Sequence, residues 1–155
     1  TRLEERYMAD LQNGLGNLVS RVTAVGEKAN FTIEIKNPLT GARENDFENY
    51  KKAIDNFELH KALEVVWKIV DESNKLVDES RLWEIARTDE KKARETLEKL
   101  AGNIYAIGIL LLPFMPDTAE KVLAAVGIDA ENTKQENFAV KFKKPEQPLF
   151  PKIES

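Results

Sequence analysis

The sequence predicts an all-α protein: a helical bundle of about five helices followed by an extended C-terminal tail. Apolar residues recur at steps of three and four over most of the chain, and this repeat is lost after Gly127. Beyond that point the chain carries five lysines and three prolines, and no cysteine is present in the sequence to form a disulfide framework. The expected organisation is therefore a helical domain over residues 1–127 and an extended basic tail over residues 128–155.

The first helix is predicted from Arg2 to about Val25, because one apolar face runs through this stretch. Gly14 and Gly16 lie inside it, and each costs about 1 kcal/mol relative to Ala. We therefore expect a neighbouring helix or a ligand to come close to them. Gly26 is expected to end the helical pattern.

A loop is predicted over residues 26–43, where turn residues surround an alternating stretch at Ile33 and Ile35 that suits one short strand. The second helix begins near Glu44 and pauses at Asp55. The third follows directly, and its expected core face consists of Leu59, Leu63, Val66, Val70 and Val77.

A polar corner near Ser80 leads into the short helical segment LWEIA. The fourth long helix is predicted to begin at Thr88, as its N-cap, and to stop at Pro113. A fifth is predicted from Asp117, again as a cap, to Gly127, which would terminate it.

Composition narrows the function classes. A formal net charge of −4 argues against a general polyanion binder. With no cysteine and one histidine, no catalytic residue and no metal site is expected. The longest apolar run, Ile104 to Met115, is shorter than the roughly 20 residues of a membrane span, so no membrane partner is expected. The chain has no Gly-rich phosphate loop, so no cofactor is expected to bind it.

The first residues lack both an initial Met and an apolar signal segment. We therefore expect the chain to be a piece of a longer protein. A reducing, cytoplasmic environment is compatible with the absence of cysteine.

A polar stripe on the first helix is one candidate binding surface. Four residues at steps of four, three and four follow one side of the apolar face: Asp10, Gly14, Asn17 and Arg21. Asn offers a donor and an acceptor, and Arg offers a planar fork, so Asn17 and Arg21 could read the edge of an unpaired base. A solvated helix flank explains the same spacing, and spacing alone leaves both readings open.

The aromatic side chains suggest a second candidate. Trp83 follows the polar corner, where no helical period demands a core residue, so it is either a stacking platform for a base or a packed corner residue. Trp67 borders the core face of the third helix and is expected to pack there. His60 is expected to be a surface or capping residue.

Four segments together resemble the C-terminal part of methionyl-tRNA synthetases. They are YMADLQNGLGNLVSR (7–21), ELHKALEVVWKIVDESNKLVDES with LWEIA (58–86), LLLPFMPDTAEKVL (110–123) and PLFPKIE (148–154). The first and third patterns also occur in related class I synthetases, whereas their combination with the last is specific to the methionine enzyme. The chain departs from the family pattern at Leu76, where an aromatic residue is frequent, and at Leu82, where Pro is frequent.

The resemblance implies that residues 1–127 form an anticodon-binding domain for the CAU anticodon of methionine tRNAs. It assigns Asn17 and Arg21 to the first anticodon base and Trp83 to stacking on the anticodon. The family's HIGH-like and KMSKS-like catalytic motifs are absent, so this chain alone should bind without catalysis. The complete protein would be a cytoplasmic, ATP-dependent methionine–tRNA ligase whose catalytic half, on the same polypeptide, uses ATP and Mg²⁺.

Two other functions fit the same residues. The chain could be an α-helical protein-interaction or dimerisation module whose Asn17, Arg21 and Trp83 patch contacts another protein. It could also be the equivalent domain of a synthetase for another amino acid. A panel of anticodon stem-loops would separate these alternatives.

Overall fold

The computed structural model describes residues 2–146 and 149–150, within which it contains six α-helices, a short 3₁₀ turn and two short strands. The elements are α1 (Arg2–Ala29), β1 (Ile33–Lys36), the 3₁₀ turn (Pro38–Thr40), α2 (Glu44–Asp55), α3 (Leu59–Ser80), α4 (Leu82–Thr88), α5 (Glu90–Leu111), α6 (Pro116–Ala125) and β2 (Asn137–Val140). The predicted all-α class is confirmed. The segment that begins at Leu82 is a helix of its own, which gives six helices instead of about five.

Helix α5 forms the centre of the core, and it packs against α3, α4 and α6. Helix α3 buries Val66, Val70 and Val77, as its apolar periodicity predicts. Leu59 was expected on the same face, but it is 52% exposed. It is the first residue of α3, and the buried residues of this helix begin only at Ala62, so this part of the prediction is wrong. None of the described helices is both long and apolar enough to cross a membrane.

Helices α1 and α3 lie side by side and run in the same direction. Gly14 of α1 faces Val70 of α3, and Arg21 pairs with Asp78, so residue numbers rise together along both helices. The C-terminal halves of the two helices therefore lie at the same end of the bundle. Helix α4 begins at that end, and it packs against α1, α3 and α5.

Helix α1 continues through Gly26 and ends at Ala29, so the prediction that Gly26 ends the helix is wrong. A Cβ atom built on Gly26 would lie 2.4 Å from ring atoms of Phe142. The glycine therefore makes room for the C-terminal segment to pack against α1. The chain leaves the helix at Asn30, whose φ of 53° is in the left-handed region that Asn tolerates.

Two of the predicted N-caps are displaced by one or two residues. Helix α5 is capped by Asp89, whose side chain accepts a hydrogen bond from the Lys92 amide at 3.2 Å, and not by Thr88. Helix α6 begins at Pro116, which suits a first helical position because it lacks an amide hydrogen. Asp117 therefore lies within the first turn. The predicted stop at Gly127, with φ of 75°, is confirmed.

The segment after α6 returns to the bundle as strand β2, which pairs antiparallel with β1. The strand predicted near Ile33 and Ile35 is thus confirmed, and Ile35 is opposite Phe138 in the ladder. The Phe138 ring is buried against Tyr105 of α5, with 4.7 Å between ring centroids. The boundary at residue 127 between a domain and a tail stays a prediction, and Phe142 beyond it is buried in the same core.

A half-buried network of charges joins α2, α3 and the loop before α2. Arg43 contacts Asp46 at 3.1 Å and Glu72 at 2.6 Å, and Lys68 contacts Asp46 at 2.8 Å. Burial raises the pKa of the Asp46 carboxyl, but hydrogen bonds from Lys68 and Arg43 outweigh this effect and hold the pKa below its ordinary value of 3.8. The network thus joins the side of α3 that faces away from α1 to α2 and to the loop before it.

Candidate nucleic-acid interface

The polar stripe of α1 lies along the contact between α1 and α3. At Gly14 the two helices approach closely, because a Cβ built there would lie 3.1 Å from the Trp67 ring and 3.2 Å from Val70. The expected close neighbour at Gly14 is therefore confirmed. A Cβ on Gly16 would meet nothing within 4 Å among the described residues, so no neighbouring helix accounts for this glycine.

Asn17 and Arg21 both have partners on α3. The Asn17 amide nitrogen is 3.5 Å from the Asn74 side-chain oxygen, and the Asn74 amide donates to the Gly14 carbonyl at 2.9 Å. Arg21 forms an ion pair with Asp78. These contacts place both α1 side chains beside a second helix, so the stripe lies along a helix–helix contact and not on a fully solvated flank.

Both side chains nevertheless remain accessible to a ligand. Asn17 is exposed, and its contact with Asn74 is at the outer limit of hydrogen-bond length. The Arg21 side chain is 27% exposed and that of Asp78 is 64% exposed. An amide and a guanidinium four residues apart on one rigid helix can present donors and an acceptor in the same direction.

Trp83 lies at the corner between α3 and α4. Its neighbour Leu82 is fully buried and anchors the start of α4, while Trp83 itself is 46% exposed. Leu82 is therefore the packed residue of this corner, and Trp83 is the exposed one. Trp83 is five residues beyond Asp78, so their Cα atoms can be at most about 18 Å apart. Trp83 therefore follows the C-terminal half of α3, the half whose Asp78 pairs with Arg21.

The other residues considered from sequence have structural surroundings. Trp67 is partly buried and packs against the core above Gly14, as predicted. His60 is an exposed residue of the first turn of α3, with its Nε2 atom 3.0 Å from Glu64. Within residues 2–146 and 149–150, no three His, Asp or Glu side chains are grouped so that they could hold a metal ion.

Sequence reasoning missed the two α3 partners of the stripe, Asn74 and Asp78. Their spacing of four residues equals that of Asn17 and Arg21, which is a weak signal that two polar edges could match. The signal becomes usable only when α1 and α3 are known to be parallel neighbours, which local patterns do not reveal.

Comparison with known proteins identifies the class to which this helical bundle belongs. Residues 27–152 match a family of anticodon-binding domains. The chain belongs to the family described as the anticodon binding domain of methionyl tRNA ligase. The matched range contains Trp83, whereas Asn17 and Arg21 precede it.

Similar sequences extend over nearly the whole chain. The methionine–tRNA ligase of Lactococcus lactis subsp. lactis is 33% identical over 165 residues, which cover 96% of this chain and 25% of the relative. That of Bacillus subtilis is 30% identical over 169 residues, which cover 97% of this chain and 26% of the relative. The chain thus spans about a quarter of the length of the curated relatives that it matches.

The fold also matches a solved structure, that of Mycobacterium tuberculosis methionyl-tRNA synthetase in complex with methionyl-adenylate. The TM-score is 0.68 at 20% sequence identity, and the match covers 97% of this chain and 33% of that chain. At this level of identity the comparison supports the fold alone.

Proposed function

We propose that the chain binds the anticodon loop of methionine tRNAs and recognises CAU, as the anticodon-binding part of a methionine–tRNA ligase. One observation carries this proposal: Asn17 and Arg21 are accessible where α1 meets α3, and Trp83 is exposed just beyond the C-terminal end of α3. These are the groups that read and stack an unpaired base. The family to which the chain belongs supports the same function.

The first base of the anticodon is read by Asn17 and Arg21. Cytosine presents an amino donor and adjacent acceptors on its pairing edge, so the Asn17 side-chain oxygen accepts from the amino group while the Arg21 guanidinium donates to the acceptors. Arg21 keeps its pairing with Asp78 on one side of the guanidinium and uses the other side for the base. The helices hold both groups in place before the RNA arrives, which lowers the entropy cost of binding.

Trp83 supplies affinity in this scheme. Stacking a base on an aromatic ring contributes about 1–3 kcal/mol and does not depend on which base it is. Discrimination between anticodons therefore comes from the hydrogen-bonding pair on α1, and Trp83 strengthens the binding of any loop that inserts a base there.

The remainder of the proposed enzyme would carry out catalysis. The relatives are about four times as long as this chain, and the catalytic half of the same polypeptide would use ATP and Mg²⁺ in the cytoplasm. This chain has no phosphate loop and no catalytic motif. A pure preparation is expected to show no methionine-dependent ATP–pyrophosphate exchange, and measurable exchange would contradict the assignment of catalysis to another part of the protein.

The decisive test of the binding function is a panel of anticodon stem-loops of equal length and charge. The expected result is tightest binding to the CAU loop, weaker binding to loops with another first base, and loss of affinity as salt rises. Tighter binding to another anticodon would indicate a synthetase for a different amino acid. Equal binding to all loops, or none, would favour a protein-interaction module.

A further inference from the structure

Arg81, which joins α3 to α4, adopts a backbone conformation that other residue types adopt at lower cost. Its φ and ψ are 52° and 55°, in the left-handed region. Gly or Asn is usual at this position after a helix, because a larger side chain is disfavoured there. Asn30 at the end of α1 follows this rule, and Arg81 does not. A residue that breaks a local rule is a candidate for function when no packing gain explains it.

Packing does not explain the choice of Arg at this position. The Arg81 side chain is 68% exposed, and its Nε atom is 2.9 Å from a carboxylate oxygen of Glu84, which is 44% exposed. Ion pairs as exposed as this one contribute little to stability. The ion pair with Glu84 therefore leaves most of the Arg81 guanidinium open to solvent.

The corner holds Arg81 and Trp83 in a fixed relation to each other. The Arg81 amide donates to the carbonyls of Val77 and Asp78, which closes the end of α3. Leu82 lies between the two side chains and is fully buried. The exposed guanidinium of Arg81 and the exposed indole of Trp83 are therefore two residues apart in the chain, with the buried Leu82 as the anchor between them.

We propose that Arg81 binds a phosphate group of the RNA backbone next to the base that stacks on Trp83. The inference rests on the proposed function, and it adds a phosphate-binding group to the base-reading pair Asn17 and Arg21. A guanidinium presents parallel N–H donors that match two phosphate oxygens. The chain has a net charge of −4, and Asp78, Glu79 and Glu84 surround the corner, so an RNA strand here needs a local positive group.

The variant Arg81→Gly tests this proposal because it removes the guanidinium and relieves the backbone. Thermal melts should show unchanged or higher stability, since Gly favours the left-handed conformation. Affinity for the CAU stem-loop should fall about fivefold at 0.1 M salt, and the difference should vanish towards 1 M, because one phosphate contact adds about 0.7 to the salt slope on a single strand. The loss should be the same for all loops, since phosphates carry no sequence information.

Two further variants control for charge and for position. Arg81→Lys should keep the salt slope of the unchanged chain because it keeps the positive charge. Lys51→Ala removes the same charge from α2, where Lys51 is 47% exposed and pairs with Glu48 at 2.8 Å, and it should leave binding unchanged.

Two results would overturn the proposal while the unchanged chain still prefers the CAU loop. One is an Arg81→Gly variant with undiminished affinity and salt slope. The other is an equal loss in Lys51→Ala, which would show that only the net charge matters. If the unchanged chain shows no preference for CAU, the proposed function fails and this inference fails with it.

Discussion

The two tryptophans occupy contrasting places in the same bundle. Trp67, in the middle of α3, covers Gly14 of α1 and is partly buried against the core. Trp83, at the start of α4, has a buried neighbour on its N-terminal side and is itself 46% exposed. The first ring fills the space that a glycine leaves between two helices, and the second leaves an apolar face in water. The comparison shows that one residue type stabilises the scaffold at one position and is available for binding at the other.

The largest effect is expected from removing the packed ring. Trp67→Ala should lower the free energy of unfolding by about 2–3 kcal/mol, somewhat less than the 3–5 kcal/mol of a fully buried aromatic, because the ring is only partly buried. Chemical denaturation measures this change. Affinity for the CAU stem-loop, measured where the variant is fully folded, should stay within twofold of that of the unchanged chain. A Trp67→Ala variant as stable as the unchanged chain would contradict the packing role of this ring.

Trp83→Ala is the counterpart at the corner. It should weaken binding of the CAU stem-loop by about 1–3 kcal/mol, because a stacking surface is lost. Its free energy of unfolding should change by no more than about 0.5 kcal/mol, as for most exposed positions. Isothermal titration and denaturation of the same preparation give both quantities. A stability loss as large as that of Trp67→Ala would place both rings in the scaffold.

A smaller effect is expected on the polar stripe. Asn17→Ala should cost about 1 kcal/mol in binding of loops that begin with cytosine, the usual net contribution of one hydrogen bond, and much less for other loops. Asn13→Ala is the matched control, since Asn13 is an exposed Asn one turn earlier on α1. Equal weakening of all loops by Asn17→Ala would indicate a structural or phosphate role.

The smallest expected effect is on the pH dependence of stability, through the charge network of Asp46 on the side of α3 that faces away from α1. The pKa of Asp46 is lowered in the folded chain, so its ionised form contributes stability above pH 4 that is lost as the pH falls through the folded pKa. As the pH falls below about 4, the unchanged chain should therefore lose stability more steeply than Asp46→Asn, and the two should converge once Asp46 is protonated in the folded chain. Parallel curves would contradict the pairing with Lys68 and Arg43. Loop binding at pH 7 should be the same for both.

The helices could be predicted because the buried apolar residues of each helix recur at helical spacing, and this local pattern identified α1, α2, α3, α5 and α6. The errors have long-range causes. The sequence predicts a helix end at Gly26 because glycine is common just past helix ends, but the Phe142 ring for which it makes room is far away in the chain. Leu59 fits the period of α3, but it is the first residue of the helix and burial begins only at Ala62.

The candidate site was predictable to a similar extent. The spacing of Asn17 and Arg21 puts them on one stripe, while the absence of a core period at Trp83 leaves a stacking platform and a packed corner residue equally open. Which residues would face the stripe depends on α1 and α3 being parallel neighbours, and Asp78 is 57 residues beyond its partner Arg21. The left-handed conformation of Arg81 was equally invisible, because nothing in a local pattern predicts an arginine there.

Tryptophan fluorescence can show directly whether Trp83, and not Trp67, contacts the RNA. Each of the variants Trp67→Phe and Trp83→Phe retains one indole, and each is titrated with the CAU stem-loop. We expect RNA to quench the emission of Trp67→Phe, in which Trp83 remains, and to leave the emission of Trp83→Phe nearly unchanged. Quenching that persists in Trp83→Phe and disappears in Trp67→Phe would contradict this expectation.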